Sequence, residues 1–293
     1  MAVRRKSYDE LTFTDDFMFC KVLVSNLELC RQLLELILGI KIREVRLSEA
    51  QKSIALTYDG HGVRFDVYVE DDENTVFDIE MQVLADKCLP KRMRYYQGMI
   101  DLNLISSGAK YKDLRKSYII FICMYDPLGG NLPIYHIKSI CLEDSSIPFD
   151  DEAEKVIVNV EGSRENLSPE LVAFFEYLKE QSVGSEFTKA LESEVEKARQ
   201  HIEWRADYMS LQEKFDIERE EGREEGRAEG MKKVLEKGLK QGLEKGLERG
   251  LTEGRAEGRT EGMKKGLEQG RLNLIEQMLQ AGIITPEQAK QFA

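Results

Sequence analysis

Two stretches of strict alternation, VRFDVYV at residues 63–69 and VFDIEMQV at residues 76–83, separate apolar from polar side chains at every second position. A period of two is that of a β-strand, whose side chains point to opposite faces in turn. Val63, Phe65, Val67 and Val69 make one apolar row and Phe77, Ile79, Met81 and Val83 another. Arg64, Asp66, Tyr68, Asp78, Glu80 and Gln82 are left on the other face. The acidic stretch between the two runs predicts a hairpin. With a three-residue loop at Asp72 to Asn74, Asp66 falls opposite Glu80, Arg64 opposite Gln82 and Tyr68 opposite Asp78. A slip of one residue would change these partners.

The surrounding chain completes an α/β pattern. SYIIFICMY at 117–125 is a continuous apolar run, as in a central strand buried on both faces. LPIYHIKSICLE and EKVIVNV read as further strands, REVRLSE as a short one, SIALTY as a less definite extended segment and DGHG as a turn. Residues 11–39 predict a helix or helix pair, capped at Thr14 or Asp15 and stopped by Gly39. After Pro90, Met93, Tyr96, Ile100 and Leu104 follow helical spacing; SPELVAFFEYLKEQ predicts a helix capped by Ser168 with Pro169 in its first position. Helical character resumes from Glu186 to about Leu211. The expected organisation is a domain over residues 1–183 with a mixed central sheet flanked by helices, then a helical extension over 184–215. A glycine-repeat tail over 216–281 and a short segment over 282–293 complete it.

In the tail, glycine recurs every fourth residue from Gly222 to Gly270, missing only at Val234. The other repeat positions are helix formers, but each helical glycine costs about 0.8–1 kcal/mol relative to alanine. Two readings stand. In one, the glycines form a stripe that lets another helix approach closely and the tail self-associates. The stripe drifts about 40° per repeat, which favours a right-handed wrap. In the other, the tail is a solvated, low-complexity polyampholyte.

Composition excludes several classes. No apolar run approaches the roughly 20 residues of a membrane span, and MAVRRKSYDE has no apolar segment behind its basic residues, so a cytoplasmic protein is expected. The five cysteines (Cys20, Cys30, Cys88, Cys123, Cys141) lack CxxC spacing, and the three histidines are far apart in sequence, which argues against zinc or a histidine triad. Net charge is −12, but residues 216–281 hold 14 basic and 15 acidic residues, so nearly all the excess lies before the tail. A uniformly basic nucleic-acid face is absent; phosphate contact must come from local patches or through a bound cation.

The hairpin offers such a cation site. Facing carboxylates about 5 Å apart destabilise a sheet unless a cation or a shared proton intervenes. Hard oxygen donors at that separation suit Mg²⁺ or Mn²⁺, which take one or two carboxylates and keep other positions for water and phosphate. Alternation alone equally allows a solvated outer face, the ordinary state of an antiparallel hairpin.

D-x(13)-E-x-Q on consecutive strands, after a helical segment and before a helix, resembles the active-site layout of PD-(D/E)XK nucleases. FTDDFMFCKVL, FDIEMQ, RMRYYQGMID, YIIFICMYDP and WRADYM, over about residues 11–210, resemble more narrowly the recombination-promoting nuclease (Rpn) family, also described as PD-(D/E)XK transposases. The resemblance implies metal-dependent endonuclease cleavage of DNA, promoting recombination. Asp66 and Glu80 match the metal-binding acids, and Gln82 stands where many relatives have lysine. Glutamine can orient a water but brings no positive charge. Phe65 replaces the motif's proline. Asp16 is a candidate third acid, or else a first-turn helix carboxylate. Of the residues following the second acid, Arg94 and Gln97 are candidates for DNA contact and Tyr96 for the core. The rival from another class is an inactive nuclease-like interaction protein displayed on an oligomerising tail, favoured by Gln82; a strand-transferring transposase is a third.

Overall fold

The computed structural model describes residues 6–47, 65–105 and 110–292. SIALTY, DGHG, Val63, Arg64 and His61 lie outside them. The chain divides into two compact units, Met1–Gln212 and Glu213–Ala293.

The first unit is a six-stranded mixed sheet between helices. Its strands are β1 (Val45–Leu47), β2 (Val67–Asp71), β3 (Val76–Gln82), β4 (Ser117–Cys123), β5 (Ile134–Ile137) and β6 (Ala153–Asn159), in the order β1-β2-β3-β4-β6-β5. β3, β4 and β6 run parallel, while β1–β2, β2–β3 and β5–β6 are antiparallel. The N-terminal helical stretch is two helices, α1 (Asp16–Ser25) and α2 (Leu27–Leu38), and Gly39 ends the second in the left-handed conformation, φ 67°. Asp15 sits at the N-cap of α1, but its carboxylate faces backwards, accepting from the Thr12 amide at 2.7 Å and from Lys6 at 2.7 Å. α3 (Leu89–Leu104) crosses from β3 to β4; α4 (Pro169–Glu180) starts on Ser168, whose Oγ accepts from the Leu171 amide; α5 is Glu186–Gln200.

Each face of the sheet has its own core. On one, Val67, Val69, Phe77, Ile79 and Met81 pack with Ile120, Ile122, Val156 and Val158 against α1, α2, α4 and α5. On the other, Tyr68, Val76, Ile119, Phe121 and Ile157 pack under Leu89, Met93, Tyr96 and Ile100 of α3. Thus β3, which reads as an alternating strand with one wet face, is buried on both sides from Val76 to Met81. The polar face is not the solvated surface that alternation also permits, because α3 lies over it. Phe65 also departs from the expected row: it precedes the ladder and stacks on Tyr68 at 5.1 Å, on the α3 side. Val83 lies past the end of β3 and is exposed, and the strand expected over LPIYHIKSICLE forms only at Ile134–Ile137. The late WRADYM stretch is a packing element: Tyr208 donates to the Lys6 carbonyl at 3.0 Å and its ring meets Phe17 at 5.3 Å.

α6 runs from Ile202 to Gln280, so the glycine repeat is helical, and Gly282 (φ 66°) precedes a last short helix, α7 (Pro286–Phe292). Gly222 through Gly270 all face open space: a Cβ added at any of them would meet nothing within 4 Å. Among the described residues no helix is long and apolar enough to cross a membrane.

Candidate active site

The hairpin register is the one the loop length predicts: Tyr68 pairs with Asp78 and Val67 with Ile79. Asp71 sets it, its Oδ1 accepting from the amides of Glu73 (2.9 Å) and Thr75 (2.7 Å), while Asn74 takes a left-handed turn position at φ 65°. Asp66 sits in a bend one residue before the ladder, and the same register carries it across from Glu80. Two hydrogen bonds join the positions: the Asp66 amide donates to Glu80 Oε1 at 3.0 Å, and the Met81 amide donates to Asp66 Oδ2 at 3.2 Å.

Three carboxylates crowd this face. Asp78 is fully buried and Glu80 is 2% exposed, while Asp66 is half-buried. Burial, then the charge of Asp66, push the Glu80 carboxyl up to about 8; the Asp66 amide and Arg92 partly oppose this. Asp78 is raised well above the carboxylate range, by burial first and then by Glu80 and Asp66. Among the described residues neither Asp78 oxygen has a hydrogen-bond donor, and when the pair shares a proton it sits on Asp78, which donates to the Glu80 carboxylate. Such a site calls for positive charge, either as a shared proton or as a cation. Among the described residues, no three His, Cys, Asp or Glu side chains converge enough to hold a metal ion alone. The donor set fits a hard cation bound through one or two carboxylates and completed by water and substrate oxygens.

The remaining predicted residues divide into those the fold brings here and those it does not. Gln82 closes β3, its Oε1 accepting from Arg92 Nη1 at 2.6 Å and its Nε2 donating to the Leu84 carbonyl at 2.5 Å. Asp16 is an exposed first-turn residue of α1. One helical turn on, the Cys20 thiol donates to the Asp66 carbonyl at 3.1 Å, which puts this side of α1 beside the hairpin entrance. Arg94 is exposed, about 200° around α3 from Arg92. Gln97 is turned to β4, donating to Ser117 Oγ and Asp101 Oδ1, both at 2.9 Å. Tyr96 is core, edge-on to Phe65 at 5.4 Å.

Arg92 and Asp78 both stand at this face without having been selected from the sequence. Besides the Gln82 contact of Arg92, its Nη2 reaches Glu80 Oε2 and Tyr96 Oη, each at 3.4 Å. Its guanidinium lies 5.0 Å from the Phe121 ring centroid and 5.4 Å from that of Tyr96. The signal was present: Arg92 and Tyr96 are four apart on a helix, so whichever face buries Tyr96 also carries Arg92.

A protein-family model described as PD-(D/E)XK nuclease family transposase matches residues 14–234. No curated protein and no solved structure gives a significant match.

Proposed function

The chain belongs to the PD-(D/E)XK nuclease family transposases, and on that premise we propose that it is a divalent-cation-dependent DNA endonuclease, hydrolysing phosphodiester bonds and so promoting recombination. The observation that carries this reading is the hairpin register, which joins Asp66 to Glu80 under α3. Asp66 and Glu80 would hold Mg²⁺ or Mn²⁺, with Asp16 at the hairpin entrance as a further donor. When bound, such a cation offsets phosphate charge and acidifies a water to serve as nucleophile. Gln82 Oε1 keeps a second lone pair beyond the one Arg92 uses, and with it orients that water. Arg94, exposed on α3, is available to DNA backbone phosphates, whereas Gln97 acts at most by fixing α3 on β4. Among the described residues Cys30, Cys88, Cys123 and Cys141 form no disulfide, in keeping with a reducing cytoplasm.

The test is plasmid nicking by the full chain with Mg²⁺ or Mn²⁺, comparing wild type, Asp66→Ala and Glu80→Ala. Removal of either acid should lower the rate by about 10²-fold or more, and EDTA should abolish it. Equal rates in all three proteins would remove these acids from the chemistry. The second reading, a catalytically weak nuclease-like interaction protein, draws on Gln82, both ends of whose amide are already engaged; absence of nicking with any divalent cation would favour it.

We further propose that the tail pairs with a second copy of the chain. Beside most glycines lies an exposed apolar residue: Met231, Leu239, Leu243, Leu247, Leu251, Met263 and Leu267. The row of glycines gives a neighbouring helix room to approach these side chains. Near-balanced charge, 14 basic against 15 acidic residues over 216–281, lets identical tails meet without net repulsion.

A further inference from the structure

Arg92 is held in a way that a structural ion pair does not require. A guanidinium serving mainly to neutralise Glu80 would face that carboxylate with its two-pronged fork, at 2.7–2.9 Å. Instead the short contact, 2.6 Å, goes to the neutral Oε1 of Gln82, and the approach to Glu80 is a single Nη2 contact at 3.4 Å. Asp86 is more distant still, at 3.6 Å. The Gln82 amide cannot turn away, because its nitrogen is fixed on the Leu84 carbonyl. Below, the rings of Phe121 and Tyr96 support the guanidinium. The side chain is one-third exposed, so one edge of the charge meets solvent beside the two acids. Of its five N–H groups, the contacts to Gln82, Glu80 and Tyr96 use three.

We propose that Arg92 is a catalytic residue that places positive charge on the scissile phosphate, the charge that the neutral Gln82 lacks, and that Gln82 is the positioning residue holding the guanidinium there. This rests on the endonuclease reading. A lysine at position 82 would project from the same strand face toward the same space; here the charge comes from the first turns of the crossover helix. In the hydrolysis, a water oxygen bonds to phosphorus while the bond to the leaving deoxyribose oxygen breaks. One water proton passes to solvent and one proton returns to the leaving oxygen. Arg92 stays protonated throughout and binds the phosphoryl oxygens on which charge accumulates.

The experiment uses the full-length chain, a supercoiled plasmid and Mn²⁺, with Arg92→Met, Gln82→Lys and the double variant Arg92→Met/Gln82→Lys. Methionine keeps the packing over the two rings; Arg92→Gln is the second choice if it fails to fold. Loss of a charge that acts in the transition state should lower kcat by about 10²–10³-fold with KM changed only a few-fold. The double variant should regain at least about tenfold over Arg92→Met, since lysine at 82 restores the charge from the strand. Melting of Arg92→Met should still respond to Mn²⁺, because no carboxylate has been removed. Wild-type kcat in Arg92→Met, no rescue by lysine in a folded double variant, or loss of the Mn²⁺ response would overturn the proposal while wild-type cleavage leaves the endonuclease reading standing. A wild type that does not cleave with either Mn²⁺ or Mg²⁺ overturns both.

Discussion

Exchanging Glu80 for glutamine isolates the cost of burying an acid beneath α3. The carboxyl moves from its ordinary value of 4.5 to about 8 in the folded chain, through burial and the charge of Asp66. Between those values the folded protein holds a proton that the unfolded chain has released. Folding therefore takes up a proton, and stability is fully present below about pH 4.5 and falls until pH passes about 8. At 1.36 kcal/mol per pKa unit the ceiling is about 5 kcal/mol. Sharing of one proton with Asp78 spreads that cost over the pair, so an effect on the order of 2–5 kcal/mol is expected. Urea unfolding of wild type and Glu80→Gln in EDTA, at intervals from about pH 5 to pH 9, measures it. Relative to the variant, wild type should lose that amount across the range. Mg²⁺ should restore stability to wild type increasingly as pH rises, and do little for the variant, because the cation binds the ionised form. Superimposable pH profiles for the two proteins would refute the assignment of Glu80 as a buried, charge-crowded acid.

Other consequences are simpler to read. The combined substitution of Leu239, Leu243, Leu247 and Leu251 by glutamine should convert an oligomer to a monomer by light scattering; equal masses for variant and wild type would end the pairing proposal. Gly162→Ala would place a methyl 2.6 Å from the Leu132 carbonyl oxygen and 2.7 Å from Pro133 Cα, both backbone atoms. A loss of about 1–3 kcal/mol in urea unfolding is expected, and a change below about 0.5 kcal/mol would show that the 132–133 segment moves aside easily.

Local patterns foretold much of the site because its geometry is local. Alternation and a three-residue loop suffice to set Tyr68 against Asp78, and the same count brings Asp66 to Glu80. What covers the acids is not local. Leu89, Met93, Tyr96 and Ile100 form a helical stripe that is visible in the chain, but nothing in the spacing says which face of the sheet it covers. For that reason the polar row of β3 reads equally as a wet surface. Choosing Arg94 and Gln97 over Arg92 has a different origin, because with Tyr96 taken as core the local helical geometry already turns Arg92 inward and Arg94 out. Phe65 shows the limit of a two-residue period, which fails where the ladder stops. The glycine tail is a different case, since its period announces a helix while propensity argues against one.

The crossover from β3 to β4 gives the assembly a measurable order. In an isolated hairpin the two carboxyls remain in water, and only the docking of α3 removes them from it. The electrostatic cost of the site thus falls on one event in folding, and raising the pH from about 5 to 9 weights that event against all others. If the helix docks before the rate-limiting barrier, refolding slows as pH rises and the unfolding rate stays flat; if it docks afterwards, unfolding speeds up instead. Stopped-flow folding of the wild type, with Glu80→Gln as the reference that removes the charge, would date the closing of the helix from which arm of the chevron bends with pH.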